Sequence, residues 1–280
     1  MKDKIHNVKP DFVGIGAQRA GTSWLYHALN AHPEIFLPLK EVHFFDEKYE
    51  QGTDWYFSLF ETEKEHTITG EFTPDYMSEE HAMNRLVEHC PETKILVVLR
   101  EPFERAYSAY NLYKAHGRFA DMSFEEAILE DKNIVRKSLY SEQIKRLFKL
   151  FPKENIRIYD FDDVSNDPLK VVQDAYSFLG VDKTFVPPGV KEKYNVGGNA
   201  KIQNVLNLPK IQKKLQNNSV GNHVLKLKKF RVIVQLKDWL LNQDTDDKKD
   251  LYCSHNLRNT FKEDLLKLEV LLNKSFSKWY

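Results

Sequence analysis

Apolar and polar positions follow one repeating order through the first two thirds of the chain: a short, nearly continuous apolar run, then a stretch with apolar residues at helical spacing. DFVGIG (11–16) is the first run and ends in glycine, and TSWLYHALNAH (22–32) follows with Trp24, Leu25, Ala28 and Leu29 on one helical face. The order recurs as HTITGEF (66–72) before EEHAMNRLVEHC (79–90), KILVVLR (94–100) before PFERAYSAYNLY (102–113), and NIRIYDF (155–161) before PLKVVQDAYSFLG (168–180). KILVVLR has the unbroken apolar character of a strand covered on both faces of a parallel sheet. Strands and helices in alternation imply right-handed crossovers, and so an α/β fold: a three-layer, doubly wound parallel sheet flanked by helices. Ligands of such sheets sit at the carboxyl ends of the strands. Gly16, Glu71 and Arg100 lie at or just past such ends, so three separate segments are expected to converge on one crevice.

Beyond about Gly180 the texture changes to VPPG, NVGGNAK and lysine-rich helical stretches running to Tyr280. LKLKKFRVIVQLKDWLL (225–241) reads as an amphipathic helix with a solvated lysine face, with contact to a membrane surface or an acidic polymer as the alternative. The expectation is a single domain over residues 1–280, with a core at about 10–205 and a helical C-terminal part at about 206–280.

Composition narrows the classes of function. The 280 residues, 41% of them hydrophobic, suffice for a sizeable core, and 41 acidic residues cancel 41 basic ones. No overall field draws the molecule to nucleic acid or an anionic membrane, so a bound anion must be held locally. Cys90 and Cys253 are far apart and outside any C-x-x-C pair, which argues against a disulfide framework and a zinc site. The opening MKDKIHNVKPD lacks the apolar centre of a signal peptide, and no apolar run approaches the roughly 18 residues of a membrane span. A soluble, cytoplasmic protein in a reducing compartment is the expectation.

The chemistry starts at GIGAQRAGTSW (14–24), which has the frame of a nucleotide phosphate loop, G-x-x-x-x-G followed by a hydroxyl residue. Where that loop carries lysine, this chain has Thr22. The turn's backbone amides and the open N–H groups at the start of the following helix still favour a phosphate, and Thr22 and Ser23 add hydroxyl donors. Arg19, inside the loop, supplies the missing positive charge on a planar fork suited to oxyanions. A nucleoside-triphosphate enzyme also places a magnesium carboxylate at the end of a neighbouring apolar strand. KILVVLR ends in Arg100 instead. With Pro102 as the first helical residue, Ser108 falls near the second turn, where it can face the same anion as Arg100. The structural alternative pairs Arg100 with Glu101 or Glu104 and leaves Ser108 to packing.

Two anion sites without a metal carboxylate suit a nucleotide with phosphates on both sides of its ribose, and here the sequence resembles a known family. GAQRAGTSWLYHAL and VVLREPFERAYSAY are similar to the two signature segments of sulfotransferases that use 3′-phosphoadenosine 5′-phosphosulfate. The resemblance continues through LKEVHFFD, GEFTPDYM, IRIYDFDDVSNDPLKVVQDAYSFLGV and YNVGGNAK, over about residues 10–205, and is nearest to the heparan-type carbohydrate enzymes and related bacterial ones. It implies the phosphate-loop sulfotransferase fold. It also implies that Arg19, Ala20, Gly21, Thr22, Ser23 and Trp24 hold the 5′-phosphosulfate, Arg100 and Ser108 the 3′-phosphate, and that Gly198 and Lys201 close over the nucleotide. The product would be 3′,5′-ADP, with no metal required. Many family members have lysine where this chain has Arg19.

Sulfonate transfer needs a base near the sulfonate. In PLKEVHFFD (38–46) an extended backbone would turn Glu41 and His43 to one side and Lys40 and Val42 to the other. A surface pair of Glu41 with Lys40, and a hydrogen-bonded His43 under Phe44 and Phe45, are the structural alternatives. The resemblance implies Glu41 as base, with His43 as acceptor-site partner and second candidate. Glu71 and Arg118 complete the expected acceptor contacts, although heparan-type enzymes usually have lysine where this chain has Phe72. The reading is a sulfotransferase acting on a hydroxyl or amine of a carbohydrate or related acceptor. The alternatives are a kinase-like phosphoryl transferase, a sulfotransferase for a lipid, polyketide or other small alcohol, and a non-catalytic nucleotide-binding scaffold.

Overall fold

The buried apolar runs form the central strands. β1 (Phe12–Gly16) is covered along its whole length, and β4 (Lys94–Leu99) is buried from its second residue on. In a computed structural model that describes residues 8–62, 68–190 and 255–280, these two pair in parallel at the middle of a five-stranded sheet of order β2-β3-β1-β4-β5. The other strands are β2 (Ile35–Phe36), β3 (Ile68–Phe72) and β5 (Ile156–Asp160), all parallel. All described residues belong to one compact unit.

The helices, in chain order, are α1 (Thr22–Asn30), α2 (Thr53–Ser58), α3 (Glu80–His89), α4 (Pro102–Ala115), α5 (Phe124–Glu130), α6 (Asn133–Arg136), α7 (Ser141–Leu150), α8 (Phe161–Asn166), α9 (Pro168–Leu179) and α10 (His255–Leu272). Strand alternation sorts the core into two layers. Val13 and Ile15 of β1 with Ile95, Val97 and Leu99 of β4 pack against Leu86 of α3, Ile144 and Leu147 of α7, and Leu265 and Leu268 of α10. Phe12 and Phe72 point to the other face, where Phe72 meets Tyr26 of α1 edge-on and Tyr176 of α9 donates to the Ala28 carbonyl.

Local chemistry fixes the ends of the elements. Glu101 accepts the amides of Phe103 and Glu104 ahead of Pro102, so α4 starts at the proline as its sequence predicts. Asp167 caps α9, and Gly180, at φ 88°, ends it in the left-handed conformation. Asp264 of α10 accepts the amides of Tyr140 and Ser141 and the Ser141 hydroxyl, which ties α10 to the start of α7.

The strand order sets the crevice. The connection leaving β1 runs toward β2 and the one leaving β4 runs toward β5, so chain direction switches between these adjacent strands. Such a switch opens a cleft at the carboxyl edge. The loop after β1 and the segment after β4 flank it. The four strand and helix pairs read from the sequence all form, and the fold is the parallel α/β sheet expected. Gly198, Lys201 and the lysine-rich 225–241 stretch lie outside the described residues.

Candidate active site

The phosphate loop occupies residues 17–21 between β1 and α1. Gly21 sits at φ 94°, and a Cβ placed there would lie 2.7 Å from the Phe161 ring, so both backbone and space call for glycine. Arg19 is also left-handed, at φ 69°. The N–H groups of Thr22 and Ser23, first in α1, have no acceptor within the helix, and such a helix start is suited to an anion. Two of the expected nucleotide contacts also shape the loop. Ala20 is buried and its amide donates to the Ala17 carbonyl at 3.2 Å, while Trp24 is buried and its amide donates to the Gly21 carbonyl at 3.0 Å.

β4 delivers the second cationic group. The Arg100 guanidinium donates to Glu104 at 3.1 Å and lies 5.0 Å from the centre of the Phe161 ring. The ion pair considered from the sequence is therefore present, yet Glu104 is half exposed, so an incoming anion competes with a solvated carboxylate. Ser108, 2% exposed, accepts a hydrogen bond from Arg19 Nε at 3.0 Å. The two expected anion sites thus touch.

Arg105, a residue the motif reading passed over, locks this junction. It is 0% exposed and donates from Nε to the Gln18 carbonyl at 2.9 Å, from its terminal nitrogens to the Gln18 side chain at 3.2 Å, and to the Ile134 carbonyl at 3.0 Å. Burial lowers its pKa from the ordinary guanidinium value, but a guanidinium stays charged. Its position one turn before Ser108 on α4, with a charge on an otherwise apolar face, was the available signal.

The base loop departs from the extended geometry expected of it. Glu41 and His43 are both left-handed, at φ 58° and 55°, and Val42 between them is buried. The Glu41 amide donates to the Phe72 carbonyl at 2.9 Å, which puts the loop at the carboxyl end of β3, the strand beside β1. Glu41 is 41% exposed and pairs with Lys40 at 3.4 Å. His43 is half-buried and its Nδ1 lies 2.9 Å from Asp46, a bond that holds the imidazole pKa above its usual value. His43, Asp46 and Glu47 bring possible metal-ligand atoms within 4.8 Å of one another, but the short His43–Asp46 bond already joins two of them.

Glu71 corrects an expectation. It is not an acceptor contact: it is 0% exposed, and its carboxylate receives hydroxyls from Tyr56 at 2.7 Å, Thr73 at 2.8 Å and Tyr76 at 3.2 Å. Strand alternation turns it into the aromatic core beneath the base loop while Phe72 turns the other way. The short 73–75 stretch links the two halves of the site. Thr73 Oγ1 accepts the His43 amide, and Asp75 accepts from the Gln18 side chain of the phosphate loop at 3.1 Å. Arg118 lies on an exposed turn, paired with Asp131 at 2.9 Å. Cys90 is buried, and burial pushes its thiol up to about 12, which leaves no nucleophile there.

A parallel sheet with a phosphate loop and a strand-end arginine converging at its switch point has the layout of an anion-binding α/β site. Residues 9–249 match the family model described as a sulfotransferase domain, and the chain belongs to that family. It is 30% identical over 204 residues to heparan sulfate glucosamine 3-O-sulfotransferase 5 of Mus musculus, a match covering 68% of this chain and 57% of that protein. The chain thus spans little more than half the length of that relative. Among solved structures, a sulfotransferase from Alicyclobacillus acidocaldarius has a TM-score of 0.68 at 24% identity, covering 97% of this chain and 98% of its own. A mouse sulfotransferase complexed with PAP has a TM-score of 0.52 at 16% identity, covering 95% of this chain and 85% of its own. Both share the fold. Among the described residues no helix is long and apolar enough to cross a membrane.

Proposed function

We propose that this protein moves the sulfonate group of 3′-phosphoadenosine 5′-phosphosulfate to a hydroxyl or amine of a carbohydrate or related acceptor, with Glu41 as base. The observation that carries this reading is the contact between Arg19 of the phosphate loop and Ser108, one helix beyond Arg100. It sets a grip for one phosphate against a grip for another, as a nucleotide with 5′ and 3′ phosphates requires. The residues present suit such a donor: open helix-end amides at Thr22 and Ser23, two guanidinium groups and a glycine where a side chain would clash.

The donor, when bound, supplies an activated sulfonate. Arg19 and the Thr22 and Ser23 amides hold the negative charge that collects on the departing phosphate oxygen, a fixed electrostatic arrangement. Arg100 and Ser108 hold the 3′-phosphate. Glu41, partly open to solvent, takes the proton of the acceptor as its oxygen or nitrogen bonds to sulfur, and His43 orients the acceptor. A sugar acceptor is supported by the similarity to the relative named for heparan sulfate glucosamine. Phe72, buried against Phe12 and Tyr26, presents no cation where heparan-type enzymes usually carry lysine, which favours an acceptor of lower negative charge.

The test pairs binding with transfer. Stabilisation by 3′,5′-ADP without magnesium, together with movement of labelled sulfonate to a member of a panel of sugars, phenols, alcohols and lipids, supports the proposal. Stabilisation by ATP with magnesium and none by 3′,5′-ADP overturns it.

A further inference from the structure

The base loop is held by its backbone. Phe72 accepts the Glu41 amide, Lys48 donates to the Val42 carbonyl and Arg85 to the Phe45 carbonyl. The amides of His43, Phe44 and Phe45 end on side-chain hydroxyls: Thr73 Oγ1 at 3.2 Å, and the Tyr76 hydroxyl at 2.8 and 3.3 Å. A hydroxyl has one proton. Since both oxygens receive loop amides, their own protons must find another acceptor, and both find the Glu71 carboxylate.

We infer that Glu71 is the positioning residue of the base loop, acting through Thr73 and Tyr76 to fix the left-handed turn that carries Glu41 and His43. The carboxylate orients both hydroxyls so that their lone pairs face the loop. A neutral carboxyl would turn one oxygen into a donor that needs an acceptor of its own, and would receive the three hydroxyls less well. Burial raises the Glu71 pKa while the three donors oppose that shift, Tyr56 first among them. Tyr56 supplies the internal control, for its hydroxyl bonds to Glu71 without touching the loop backbone.

This inference rests on Glu41 as base, and the experiment separates the two. Hydrogen exchange at the amides of residues 43–45 is measured in Glu71→Gln, Thr73→Val, Tyr76→Phe and Tyr56→Phe, alongside turnover and 3′,5′-ADP affinity. The first three are expected to speed exchange and to lower kcat on the order of ten- to a hundredfold, with nucleotide affinity within about twofold. Tyr56→Phe is expected to lower the melting temperature while loop exchange and kcat stay as in the parent. Tyr76→Phe and Thr73→Val keep the side-chain shape, so the test survives if Glu71→Gln does not fold. Unchanged exchange overturns the inference even if Glu41→Gln is inactive. Faster exchange with unchanged turnover overturns the link from loop to base, and equal kcat losses in Tyr56→Phe and Tyr76→Phe reduce Glu71 to a stabilising residue.

Discussion

Arg19 and Ser108, 89 positions apart in the chain, are joined by a hydrogen bond of 3.0 Å from Nε to Oγ. The bond uses Nε and fixes the plane of the guanidinium against α4. A lysine at position 19 keeps the charge but has no second nitrogen with which to hold Ser108. Arg19→Lys and Ser108→Ala are each expected to weaken 3′,5′-ADP binding, and the double variant to lose less than the sum. The expected coupling is about 1 kcal/mol. Calorimetry on the four proteins checks it, and strictly additive losses would show that the contact plays no part in nucleotide binding.

Glu41 and Arg100 should separate chemistry from binding. Glu41 is a partly solvated carboxylate paired with Lys40, so Glu41→Gln is expected to change stability by less than about 0.5 kcal/mol. Turnover should fall by roughly 10²–10⁴, with thermal stabilisation by 3′,5′-ADP retained. Arg100→Ala should do the reverse, raising the dissociation constant of the nucleotide while the rate at saturation changes less. Full activity in Glu41→Gln would move the base to His43 or elsewhere.

The strands and their partner helices were legible because β1 and β4 are buried on both faces and their helices begin with strong signals, Gly21 before Thr22 and Glu101 before Pro102. Strand order was not, because pairing between distant strands leaves no mark in local periodicity. The site was legible in its residue types and less so in its geometry. Glu41 and His43 look alternately placed in sequence, yet both take positive φ in a loop whose amides are accepted by the hydroxyls of Thr73 and Tyr76. Glu71 looked like a crevice residue at a strand end and proved to be the buried acceptor of those hydroxyls. Arg105 carries no motif that singles it out in the sequence. Its burial depends on carbonyls at Gln18 and Ile134 that only the folded chain brings together.

The His43 and Asp46 pair predicts a pH signature. A histidine whose pKa is higher in the folded state adds stability that is complete below its unfolded value of about 6.5 and is lost as pH rises through the folded value. The bond to Asp46 raises the His43 pKa, so Asp46→Asn is expected to destabilise the protein more at pH 6 than at pH 8.5. Urea unfolding at the two pH values measures this. A loss of equal size at both would assign Asp46 to packing alone. In turnover, the same variant is expected to shift the histidine-linked limb of the pH profile to lower pH.

Arg105 predicts a large loss of stability from a residue outside the reaction. Arg105→Met fills similar space but leaves the Gln18 carbonyl and side chain without their Arg105 donors and the Ile134 carbonyl with only the Ser138 hydroxyl, at an expected loss of roughly 2–4 kcal/mol. Arg105→Lys should recover part of it, since one ammonium cannot reach all the positions of the fork. Denaturant unfolding with and without 3′,5′-ADP checks both variants. Because Gln18 belongs to the phosphate loop, the ligand-bound protein should show the larger deficit, and a variant within 1 kcal/mol of the parent would sink the assignment.

Gly21 and Phe161 show how one methyl group could disturb both anion sites. At φ 94° an alanine is strained whatever space surrounds it, and its Cβ would also press on the Phe161 ring that stacks on Arg100. Gly21→Ala therefore carries a backbone penalty of about 1 kcal/mol and a steric one. Phe161→Ala in the same chain should relieve the second and not the first. The double variant is accordingly expected to be more stable than the sum of the singles predicts, yet below Phe161→Ala alone. Its affinity for 3′,5′-ADP should stay low, because Arg100 has lost the ring that orients it. Recovery of nucleotide binding to the parental level would mean that Phe161 only obstructs position 21 and gives Arg100 no support.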